Sequence, residues 1–193
     1  MGERNGAGPV TATGGPLEGA DLMADHLENT LRATIKSLRD VVGPAVDSAD
    51  PMAQEQMALS LMALEFVRSR LDHLHARDRF LLQHYLQMGQ KIADAVTPAP
   101  VHLNSALDAA RAVVDQADVS DVRIRSAADA IAAAISDVVD SPLDEGTRRE
   151  VDTTIVESAC DRIEFERAWH APMGFDPDVA SIASVEAAAS VYR

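Results

Sequence analysis

The residues best suited to chemistry are three polar side chains in the middle of the chain. Asp72 and His75 stand at i and i+3, a spacing that puts both on one face of a helix, and His84 follows nine residues later. These three are the candidate metal ligands. A di-metal bundle site would need Glu-x-x-His on two helices and a further Glu on two more, and no Glu-x-x-His occurs in the 193 residues. Asp72, His73, Arg77, Asp78 and Arg79 read equally well as a solvated, ion-paired helix face. No cofactor is expected.

Nucleophilic chemistry has as little to work with. Cys160 lies within an apolar stripe, where a buried, unreactive thiol is expected. Gly-x-Ser-x-Gly, Cys-x-x-Cys and phosphate-cradling glycine loops are all missing from the sequence. No catalytic residue is assigned.

A different signal comes from RAWHAPMGFDPD, residues 167 to 178, which holds the only Trp, a neighbouring His, and two prolines around a Gly-Phe pair. Trp and Phe each bury on the order of 200 Å², so Trp169 and Phe175 need a surface to cover. Pro172 and Pro177 fix φ and hold the segment extended, which lowers the entropy lost on docking. Two readings stand. The strip closes over the helix ends of its own core, or Trp169, His170, Met173 and Phe175 anchor a partner protein, since these types are enriched at interface centres.

The elements that position these residues read as helices. Leu27, Leu31, Ile35, Leu38 and Val42 line one face, ended by Gly43-Pro44. Asp50-Pro51 is an N-cap followed by proline at the first helical position. No Pro or Gly interrupts residues 52 to 88, so one helix of about 40 residues is expected, with a kink near residues 73 to 80 as the alternative. TPAP at 97 to 100 and SPLDEG at 141 to 146 separate stripes led by Leu103, Ile131 and Val151. The fold expected is an all-α bundle of about five helices with a long second helix and an extended Pro-containing C-terminal segment. Its organisation would be a disordered tail over 1–20, a bundle domain over 21–171, and over 172–193 an extended segment with a short tail helix.

Composition sets the partners. Seventeen basic against 31 acidic residues give a formal charge of −14, which repels nucleic acid and anionic membranes. A single cysteine fits a reducing compartment, and no secretory or membrane-spanning run is present, so a cytoplasmic location is expected. A 40-residue helix overhangs what a chain of this length needs for its own core, which predicts a homodimer or a hetero-complex.

The block LRDVVGPAVDSADPMAQEQMALSLMALEFV, residues 38 to 67, resembles small bacterial helical proteins encoded beside aminoglycoside-phosphotransferase-like kinases and acyl-CoA-dehydrogenase-like enzymes. That group is similar to the accessory subunit of a 4-hydroxyacyl-CoA kinase. The resemblance implies a non-catalytic helical subunit whose partner is a phosphotransferase-like kinase acting on a hydroxyacyl-CoA or related substrate. The alternatives are a metal-binding bundle enzyme using Asp72, His75 and His84, and a ligand-binding regulator with a pocket beside Trp169.

Overall fold

The computed structural model describes residues 16–116 and 118–190, with side chains described from His26 onward. Helices carry nearly all of it: α1 Pro16–Ser37, α2 Pro51–Arg70, α3 Leu74–Ala95, α4 Val101–Val114, α5 Asp121–Asp140, α6 Glu145–His170 and the short α7 Val185–Ala189. No strand occurs among the described residues, so the all-α expectation holds. The chain divides between Leu71 and Asp72 into two compact units, a division the expected 21–171 bundle did not contain. Helix α1 begins at Pro16, so the expected tail over 1–20 gives way to helix in its last five residues. Residues 1–15 lie outside the described residues.

The N-terminal unit is a helical hairpin. Helix α1 passes into a wider π-type turn at Leu38–Val42 and a 3₁₀ turn at Gly43–Ala45, where Pro44 has no N–H to continue the ladder. Asp50 then caps α2, its Oδ1 accepting from the backbone N–H of Met52 and Ala53, both at 3.0 Å, with Pro51 at the first helical position as the sequence predicts. Arg68 bonds Glu65 at 3.0 Å and reaches Glu28 at 3.6 Å, while Arg39 bonds Glu65 at 3.0 Å. These pairs tie α1 and the turn to α2. Hydrophobic burial adds little, since Ile35 is the only apolar side chain buried among residues 26–71.

The helical path from Pro51 to Ala95 is interrupted by a 3₁₀ turn at Leu71–His73, close to the expected alternative kink. No Pro or Gly marks it, and the division between units falls at the same place.

The C-terminal unit has a proper core. Leu82, Met88 and Ile92 of α3 pack with Leu103, Leu107 and Ala110 of α4 and with Ile124, Ile131, Ile135 and Val138 of α5, joined by Val151 of α6. Each fully buried Leu, Ile or Val contributes about 1.5–3 kcal/mol relative to exposure. Small residues let the helices approach closely at Gly89, where an added Cβ would sit 3.1 Å from both Ile131 and Leu107 side-chain carbons. Asp144 caps α6 through the backbone N–H of Gly146 and Thr147, at 3.0 and 3.1 Å, and Arg148 donates to the α5-terminal carbonyls of Val139 and Ser141 at 2.5 and 2.9 Å.

Candidate functional site: the outer face of α6 and the C-terminal strip

Helix α6 carries two apolar stripes on opposite faces. Val151, Phe165, Ala168 and Trp169 point inward and are buried, whereas Val156, Ala159 and Ile163, spaced at i, i+3 and i+7, point outward. The inward stripe ends in an aromatic stack. Phe80 of α3 lies on Phe165 with ring centroids 4.0 Å apart, and Phe165 continues to Trp169 at 6.1 Å. His84 extends the stack beyond Phe80 at 6.1 Å, and the Arg77 guanidinium lies 5.1 Å from the Trp169 ring centroid.

This placement is that of the first of the two readings, with Trp169 closing over the chain's own core. Only 6% of it is exposed, because a side chain that large is stabilised by filling the end of its own core rather than waiting for a partner. The remaining strip residues divide. Met173 is half-buried, His170 is exposed and bonds the Glu166 carbonyl through Nδ1 at 3.0 Å, and Phe175 is 74% exposed.

The strip itself is held in place by charge. After the 3₁₀ turn at Ala171–Met173, Gly174 takes φ 72°, a left-handed conformation that turns the chain into the extended Phe175–Pro177 stretch. Arg167 then grips Asp176 with two nitrogens, at 2.8 and 3.3 Å, and reaches Ser181 Oγ at 3.1 Å. These bonds, with the Asp178 backbone N–H behind them, hold the Asp176 carboxyl below its usual range. Between strip and helix lies an apolar groove of about 510 Å³, walled by Ala159, Ile163, Phe175 and Pro177 and rimmed by Arg162 and His170. Ile163 is 56% exposed in it.

The candidate metal ligands do not meet. His75 bonds Asp121 at 2.7 Å, Asp72 is exposed in the 3₁₀ turn, and His84 is buried between Phe80 and Tyr85. No group of three or more His, Cys, Asp or Glu gathers in metal-binding geometry among the described residues. Cys160, expected in the core, is exposed; it stands on the outward face of α6, next to Ala159.

Sequence reasoning missed Ile163, Ala159, Arg167 and Asp176 as site residues. The signal for the first two was present as a second i, i+3, i+7 stripe on α6; for the salt link it was the nine-residue separation across a proline-containing turn. Among the described residues, no helix is long and apolar enough to cross a membrane. Comparison of the chain with family models, curated proteins and solved structures gave no match.

Proposed function

We propose that this chain is a non-catalytic interaction subunit that receives the apolar face of a partner protein's helix in the groove between α6 and the C-terminal strip. The observation that carries this reading is the pairing of exposed Phe175 and Ile163 across a groove whose far wall is fixed by the Arg167–Asp176 clamp. A Phe left in water beside an outward Val156, Ala159, Ile163 stripe is a preformed hot spot. From Val156 to Ile163 the stripe spans about 10 Å at 1.5 Å per residue, about two turns of a docked helix. The partner implied by the resemblance of residues 38–67 is a phosphotransferase-like kinase acting on a hydroxyacyl-CoA or related substrate. A hetero-complex of that kind in the cytoplasm is the assembly we propose, with a homodimer through the same face as the competing outcome.

The test is co-purification from the native host at moderate salt, with Phe175→Asp as the comparison. A kinase-like enzyme recovered with the wild type and lost with a variant of unchanged melting temperature supports the reading. Recovery of the chain alone, as a monomer by light scattering, overturns it.

A further inference from the structure

Three of the chain's 17 basic residues surround one small cleft, a concentration that stands out in a molecule of charge −14. The cleft lies between α3, α5 and α6 and has a volume of about 210 Å³. Arg77 and Tyr85 reach it from α3, Arg125 from α5 and Arg162 from α6, with Asp78 and Asp129 the acidic residues on its wall. We propose that this cleft binds a small anion through a carboxylate or phosphate group, held by the guanidinium groups of Arg77, Arg125 and Arg162 and by the Tyr85 hydroxyl.

The balance of donors and acceptors points to an anion. Each guanidinium offers five N–H donors and no acceptor. Arg125 donates to Asp78 Oδ2 at 2.6 Å, and Arg162 donates to the Tyr85 hydroxyl. Arg77 and Arg162 share Glu166 only at 3.8 and 3.9 Å, outside hydrogen-bond range. Among the described residues Arg77 Nε is the buried side-chain donor without an acceptor, an unfavourable state in a protein interior. A planar or tetrahedral oxyanion is the ligand whose geometry matches guanidinium forks. The Asp78 carboxylate is already engaged, with Arg125 on one of its oxygens at 2.6 Å.

The site carries its own reporter, since Arg77 lies over the only Trp, Trp169. The experiment titrates the intact chain with inorganic phosphate and, separately, with succinate, at constant ionic strength set by chloride, reading Trp169 fluorescence and calorimetric heat together. A saturable response to phosphate alone assigns a phosphate ligand, one to succinate alone assigns a carboxylate, and a response to both assigns a general oxyanion site. Arg162→Gln should weaken binding at least tenfold with the melting temperature retained. Should that variant not fold, Tyr85→Phe, which removes only the hydroxyl, should weaken binding by about threefold or more. No saturable signal from either anion up to about 10 mM, or wild-type affinity in a folded variant, overturns the proposal. Arg162 also rims the partner groove, so the two readings are separated by Tyr85→Phe, which lines the cleft and not the groove and should weaken anion binding while leaving partner capture unchanged, whereas Phe175→Asp should do the reverse.

Discussion

His84 shows how one side chain ties packing to solution behaviour. Burial first, then repulsion from Arg162, hold its imidazole below the usual range against an opposing pull from Asp161. An unfolded His takes up a proton near pH 6.5. The folded chain resists that proton, so folding weakens as pH drops below this value. Asp78 acts in the opposite sense and lower on the scale: its raised carboxyl takes a proton in the folded chain before it does in the unfolded one. Thermal melting between about pH 7.5 and 5.5 should therefore show a larger fall in Tm for wild type than for His84→Gln, and equal slopes would remove His84 as the source. Trp169 belongs to the same stack. Trp169→Ala should lower unfolding free energy by about 3–5 kcal/mol, measured by urea denaturation, whereas Phe175→Ala should leave stability within about 0.5 kcal/mol while weakening partner binding.

At the scale of elements, caps and close approaches carry testable weight. Asp144 satisfies two first-turn N–H groups and the Thr147 hydroxyl of α6, so Asp144→Ala should cost about 1 kcal/mol. Gly89→Val places branched carbons where a single Cβ already meets Ile131 and Leu107, and should cost about 1–3 kcal/mol through overpacking; an unchanged urea midpoint would show that α3 and α4 can part without penalty. Features of this local kind were legible in the sequence. Asp50-Pro51, TPAP and the α4 stripe of Leu103, Leu107 and Ala110 announce themselves through capping chemistry and period, and the structure places them as read. What stayed hidden depends on neighbours. The break at Leu71–His73 was open only as an alternative near residues 73 to 80, since no Pro or Gly marks it. On α6, two apolar stripes are chemically alike, and only contact with Phe80 of α3 makes Phe165 and Trp169 the inward pair and leaves Ile163 outside. For Trp169 the sequence left two readings open for the same reason: the choice between them rests on Phe80 and Arg77 of α3, far away along the chain.

For the whole molecule, the contrast between the two units sets how it comes apart. The C-terminal unit buries a continuous aliphatic core and an aromatic stack, whereas among the described side chains of the N-terminal hairpin Ile35 is the one buried apolar residue, beside surface ion pairs of Arg68 and Arg39, each worth about 0–1 kcal/mol. Two transitions are expected in urea, the first abolished as a separate step by deleting residues 1–71, and a single transition seen by both far-UV circular dichroism and Trp169 fluorescence would contradict that. Amide hydrogens of α1 and α2 should exchange faster than those of α3 and α5.

That Ile35 is the one buried apolar side chain among residues 26–71 also bears on how long the molecule persists in a cell. A hairpin that opens often offers proteases an entry while the rest of the chain is still folded. A partner that covers Leu27, Met52, Leu59 or Val67, each among the exposed apolar residues of the hairpin, would close that entry by mass action. Abundance of the chain would then follow abundance of its partner, and surplus copies would be cleared from the N-terminal end.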